Sequence, residues 1–119
     1  MGRESAQERE RQYNRERDRQ TGRQWYKTSR WQKARAAFLA EPDNQVCCMC
    51  LRAGLLNTGT LHMDGKLQED PRRMHLVVDH IERHRGDEAL FWDRNNWQAL
   101  CPDHHDIVKQ AEDRAAARR

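Results

Sequence analysis

Apolar residues are scarce in this chain, and none of its apolar runs is long. Of 119 residues, 36% are hydrophobic and 7% aromatic, while 34% are charged; mean hydropathy is −1.21. Without a long apolar run there is no candidate membrane span, and no membrane partner is expected. The length fits one domain, but so little apolar surface makes a self-sufficient core doubtful, and a metal or cross-links are expected to help. Met1-Gly2-Arg3-Glu4-Ser5 has none of the apolar character of a secretory signal, so a cytoplasmic chain is expected. In that compartment the four cysteines read as thiolate ligands rather than disulfides. A strong excess of one charge sign is lacking too. With 22 Lys and Arg against 19 Asp and Glu, the net charge of +3 argues only weakly for a polyanionic partner.

What is present is unevenly distributed. Residues 1–24 hold Arg9, Arg11, Arg15, Arg17, Arg19 and Arg23 interleaved with Glu8, Glu10, Glu16 and Asp18, and offer almost nothing to bury. This segment is expected to be a solvated tail, disordered or helical, with a DNA-tracking arm as the alternative; residues 25–119 are expected to form the domain. From Trp25 the pattern changes. Thr28 or Ser29 can cap a helix whose apolar positions Trp31, Ala34, Phe38 and Leu39 recur at helical spacing, and Glu41-Pro42-Asp43-Asn44 should close it. Trp31 and Phe38 read simply as core anchors. Leu76-Val77-Val78 leads as a strand into Asp79-His80, and Asn96-Trp97-Gln98-Ala99-Leu100 reads as a second strand. Cys101-Pro102-Asp103 has the form of a helix start, with proline in the first position and an acid in the first turn.

Two ligand pairs stand out, Cys47-x-x-Cys50 and Cys101-x-x-His104. A two-residue gap lets both side chains of a pair reach one tetrahedral ion, and Cys3His is an ordinary structural zinc set. The pairs enclose about fifty residues, whose extra length costs roughly 1 kcal/mol of loop closure because that cost grows only logarithmically. A structural zinc site contributes on the order of 10 kcal/mol, which exceeds it. Cys48 is left as a small buried or free thiol, because adjacent thiols do not easily join Cys50 together. In the last helix Cys101 and His104 are three apart and share a face, whereas His105 is turned about 100° further round and is available to a second site. Asp79 and His80 are adjacent, and strand neighbours point to opposite faces; they are expected to share a site only if pairing ends or bulges there.

The ordered series Val77-Val78-Asp79-His80-Ile81, Asn96-Trp97-Gln98-Ala99-Leu100-Cys101 and His104-His105 resembles the ββα-metal core of HNH endonucleases in their zinc-knuckle form. Trp31, Arg85-Gly86-Asp87, Phe91-Trp92-Asp93 and Asn96 are similar to small phage HNH proteins encoded beside DNA-packaging terminases. The resemblance runs from about Tyr26 to Gln110. It implies an α+β fold: a small zinc-stabilised ββα-metal core with an N-terminal helix. It also implies roles. Asp79 would be the first ligand of a catalytic divalent ion, Mg2+, Mn2+ or another, and His105 the second. His80 would be the general base and Asn96 the residue bracing the loop behind it. The types suit the chemistry, since a hard carboxylate and a neutral imidazole hold such an ion with positions left open, and a histidine can take a proton from water near neutral pH. Arg83, Arg85 and Lys109 are expected to contact phosphates.

The implied function is metal-dependent hydrolysis of DNA phosphodiester bonds, with DNA and terminase subunits as partners in a phage-infected host cytoplasm. The alternative is a non-catalytic, zinc-stabilised DNA-binding or packaging accessory protein. Two departures from the family pattern stand out. The segment 57–74 is longer than the usual link and suggests a hairpin touching substrate or a partner, and His104 stands where many relatives carry cysteine. His62, His75 and His84 are expected to lie outside the metal sites.

Overall fold

The computed structural model describes residues 5–117. The charged N-terminal segment is helical: α1 spans Ala6–Thr21. Its start is a reciprocal capping box, with Glu8 N–H donating to Ser5 Oγ at 3.1 Å and Ser5 N–H to the Glu8 carboxylate at 3.3 Å. Gly22 ends it in the left-handed region (φ 72°), where a Cβ would overlap the Trp25 ring; only glycine lets that indole lie so close to the chain. A 3₁₀ turn, Arg23–Lys27, follows and includes residue 24, where tail and domain were expected to meet.

α2 (Ser29–Ala40) is capped by Thr28, whose Oγ1 accepts from Trp31 N–H at 3.1 Å, and a 3₁₀ turn at Pro42–Asn44 follows it. α3 (Cys48–Arg52) is a single helical turn. β1 (Val77–His80) and β2 (Trp97–Leu100) form a two-stranded antiparallel sheet, with Val77 opposite Leu100 and His80 opposite Trp97. Between them lies α4 (Glu88–Trp92), capped by the Asp87 carboxylate, which accepts from Ala89 and Leu90 N–H. Asn96 sits in the 3₁₀ turn Arg94–Asn96 before β2, not in the strand as the sequence suggested. Its side chain is bonded to the neighbouring loop, while its carbonyl accepts from Ile81 N–H just beyond the ladder. α5 (Pro102–Ala117) completes the ββα unit.

The core is small, as the composition required. Trp31, Phe38, Leu76, Val78, Phe91, Trp97, Ala99 and Leu100 are buried with Cys47, Cys50 and Cys101, so the thiols occupy the centre of the apolar cluster. At about 1.5–3 kcal/mol for each large side chain, this cluster is modest against the backbone entropy of the chain.

The 57–74 segment is a small hairpin, with Leu61 bridging Leu67 across a turn at Asp64-Gly65. It docks on the first turn of α5 through Asp103, whose carboxylate accepts from His62 Nδ1 (3.1 Å), Met63 N–H (3.1 Å) and Arg73 Nη2 (3.3 Å). Burial opposes ionisation of Asp103, but these donors outweigh it and hold the carboxyl below its usual range.

Candidate active site and zinc cluster

The two cysteine-containing pairs converge. Cys47, Cys50, Cys101 and His104 bring their ligand atoms within 4.8 Å of one another. The three Sγ atoms lie 3.5, 3.4 and 3.3 Å from His104 Nδ1, and Cys50 Sγ is 3.9 Å from Cys101 Sγ. A tetrahedral zinc ion would set S···N at roughly 3.5 Å and S···S at roughly 3.8 Å, so this donor set fits zinc with little movement. The electrostatics agree. Burial pushes the Cys101 thiol up to about 12 and raises Cys50. At Cys47 burial is outweighed by nearby backbone N–H groups, and its thiol falls below the usual range. Ionised together as ligands, three thiolates so buried would require a cation.

Asn57 is the polar hub behind this cluster. It is fully buried. Its Oδ1 accepts from Gly59 and Leu61 N–H, while its Nδ2 donates to Leu61 O and to Cys50 Sγ at 3.6 Å. Its carbonyl accepts from Cys47 N–H at 2.8 Å, so one residue fixes both thiols of the first pair. Cys48 stays out of the cluster. Its thiol, raised by burial, donates to Gln98 Oε1 at 3.5 Å.

The second site lies on the other side of α5. His105 Nε2 stands 4.0 Å from Asp79 Oδ1, and Gln98 Nε2 donates to the opposite oxygen, Oδ2, at 3.4 Å. Asp79 Oδ1 and His105 are thereby paired across β1 and α5, one hard oxygen and one imidazole nitrogen, a set suited to Mg2+ or Mn2+. The adjacent histidines of α5 thus diverge as helix geometry demands, His104 towards the thiols and His105 towards Asp79.

His80 is 5% exposed. Trp31 stacks on its ring at 5.8 Å and 16°, so this tryptophan is more than the core anchor its spacing suggested. The Phe91 carbonyl sets the tautomer. It accepts from Trp97 Nε1 at 2.8 Å and lies 3.0 Å from His80 Nε2. A carbonyl only accepts, so Nε2 carries the proton and Nδ1 the lone pair. Burial keeps the imidazole below its usual range despite that bond and the negative charge of Asp79 and Glu112, favouring the neutral form that can act as a base. Asn96 braces the surrounding backbone. It accepts from Glu82 N–H at 2.8 Å and donates to Glu82 O at 2.9 Å and Leu90 O at 3.1 Å, pinning the carbonyl next to that of Phe91.

Asp79, His80 and His105 all line an open groove of about 1300 Å³. Asp79 and His80 were expected to share a site only if pairing ended or bulged there. The strand ends at this pair: the paired register runs from Val77 to His80, and one further bond, Ile81 N–H to Asn96 O, closes it. Among the described residues the sheet has two strands, and Val77, Val78, Asp79 and His80 of β1 all line the groove, so successive residues of both strand faces reach it. Arg83, Arg85 and Lys109 border it. Arg23, one of the arginines of the charged tail, does so as well, with Lys27 and Arg35, which nothing in their local sequence marked; α2 and the turn before it carry them there. No residue of the 57–74 hairpin lines the groove among the described residues.

Neither the protein-family models nor the curated proteins yield a match. Among solved structures, the chain is similar to the crystal structure of the HNH endonuclease of the deep-sea thermophilic bacteriophage GVE2 with manganese ion. The identity is 28% and the TM-score 0.58, over 88% of this chain and 95% of that one. Asp79-His80, Asn96 and His105 thus stand in order on a ββα unit in a chain that is similar in fold and sequence to that HNH endonuclease.

Proposed function

We propose that the chain is a metal-dependent endonuclease hydrolysing DNA phosphodiester bonds, with His80 as the general base. One observation carries this reading: His80, its tautomer fixed by a backbone carbonyl, lines the same groove as the Asp79–His105 pair. The manganese ion in the phage GVE2 structure supports a divalent metal.

Asp79 and His105 would hold that ion, which when bound stabilises charge on the phosphate and on the leaving 3′ oxygen. His80 Nδ1 takes the proton of the attacking water, and the resulting imidazolium is steadied by its Nε2–H bond to Phe91 O. Asn96 keeps the loop from yielding as that charge appears. Gln98 occupies Asp79 Oδ2 and leaves Oδ1 facing His105. Arg83, Arg85 and Lys109, joined by Arg23, Lys27 and Arg35, hold the flanking phosphates along the groove. Cys47, Cys50, Cys101 and His104 would hold zinc with a structural role, fixing α3 against the start of α5.

Plasmid nicking tests the reading. In Mg2+ or Mn2+ the wild type converts supercoiled plasmid to open-circular or linear forms. His80→Ala should lower the rate by about 10²–10⁴-fold with zinc content unchanged. Equal nicking by the two proteins removes His80 as the base. A wild type that binds DNA and never cuts it would favour the accessory-protein reading.

The site of action we propose is phage genome packaging beside terminase, in the cytoplasm of the host. Its support is the likeness to small phage HNH proteins and to the phage GVE2 enzyme. A pull-down that retains neither terminase subunit would remove this part and leave the chemistry standing.

A further inference from the structure

Tyr26 lies outside the ββα unit, in the 3₁₀ turn after α1, yet it lines the groove beside Asp79 and His80. Its ring meets Trp31 edge-on at 5.5 Å and Phe91 at 4.9 Å, so the phenol is held in position. The hydroxyl is 3.0 Å from His84 Nε2. The direction of that bond follows from the opposite side of the imidazole. Gly86 N–H donates to His84 Nδ1 at 3.1 Å, which makes Nδ1 the lone-pair nitrogen and puts the single proton of a neutral ring on Nε2. The ring is neutral near pH 7, because burial, then His80 and Arg83, push His84 down to about 4 against the opposing charge of Asp87. Nε2–H therefore donates to Tyr26 Oη, and the phenol keeps its own proton for another acceptor. Burial, with Asp79 and Glu112 nearby, pushes that phenol up to about 12, so it works as a donor and not as a base.

We propose that Tyr26 is a catalytic residue whose hydroxyl, oriented by His84, donates a hydrogen bond to a non-bridging oxygen of the scissile phosphate. The proposal rests on the nuclease reading of the groove and deepens it. Negative charge accumulates on those oxygens as water attacks, and a donor already oriented needs no reorganisation at that moment. His84 is a positioning residue here, acting through Tyr26. The 3₁₀ turn after α1 thus completes a site whose other reactive groups all lie between or beside the zinc pairs.

The test compares full-length wild type, Tyr26→Phe, His84→Phe and the double variant. It measures plasmid nicking in Mn2+, DNA affinity in Ca2+, and zinc content. Tyr26→Phe should cut kcat by about 10- to 100-fold, with DNA affinity and zinc content unchanged. His84→Phe should lose less, and the double variant should be no slower than Tyr26→Phe, since removing the hydroxyl leaves His84 nothing to orient. An active wild type with Tyr26→Phe within about twofold of it overturns the assignment alone, as does a loss seen only in DNA affinity. Losses that multiply in the double variant overturn the role of His84. A wild type that binds DNA without nicking it overturns the nuclease reading and this assignment together.

Discussion

Cys101→Ser should abolish both bound zinc and cooperative folding. Cys101 is fully buried, within 3.9 Å of Cys50 Sγ and 3.3 Å of His104 Nδ1, at the junction of β2 and α5. Serine leaves three ligands and a buried hydroxyl in a pocket built for a dication. A structural zinc site contributes on the order of 10 kcal/mol. Domains of this size are stable by only about 5–15 kcal/mol, and the apolar cluster around these thiols is small. Loss of the ion therefore removes most or all of the margin. Zinc stoichiometry, tryptophan emission and a thermal melt read the result: no retained zinc, red-shifted emission as Trp31 and Trp97 meet water, and no sharp transition. Strong chelation of the wild type should give the same state. A zinc-free Cys101→Ser protein that still melts cooperatively would show that the apolar cluster suffices without the ion.

His105→Ala, four residues on in α5, should do the opposite. The His105 imidazole is not one of the four clustered ligand groups; only its backbone N–H bonds to Cys101 O, and its Nε2 faces Asp79 Oδ1 at 4.0 Å. Its side chain is about 30% exposed, so truncation leaves no large cavity. Zinc content and melting temperature should stay near those of wild type, while nicking at fixed Mn2+ falls by on the order of 10²-fold or more. Because one ligand of the pair remains, raising Mn2+ should recover part of the rate. Asp79→Ala should behave in parallel. Zinc loss in His105→Ala would show that the two sites are not separate. Unchanged nicking would remove His105 from the reaction.

How much of this was legible in the sequence follows from how local each signal is. The zinc pairs needed only a two-residue gap, and the divergence of His104 and His105 needed only helical geometry. The cap at Thr28, the stop after Ala40 and the strand leading to Asp79-His80 were equally local. Asn57 was not, because a buried asparagine satisfied by its own loop has the same neighbours in sequence as any Asn-x-Gly turn. The stacking of Trp31 on His80 was hidden for another reason. Helical spacing says that Trp31 faces inward, but only the crossing of α2 over the sheet says what it meets there. Tyr26 and His84 lie far apart in sequence and share no spacing rule. Alternation along a strand fixes which face a side chain takes and told only that pairing should end or bulge at Asp79-His80; it is silent on how both residues then come to line one groove.

The acceptor that orients His80 belongs to the backbone. Phe91 O takes both the Trp97 indole N–H and the His80 ring N–H, and no substitution at residue 91 other than one that moves the chain can delete it. Alanine scanning would therefore pass over the group that selects the tautomer, registering only lost volume at Phe91. Under sequence drift, side chains of similar bulk at 91 would leave the orienting bond intact. A change at Asn96 or Asp87, far less conspicuous by size, would shift the carbonyl and misdirect the histidine.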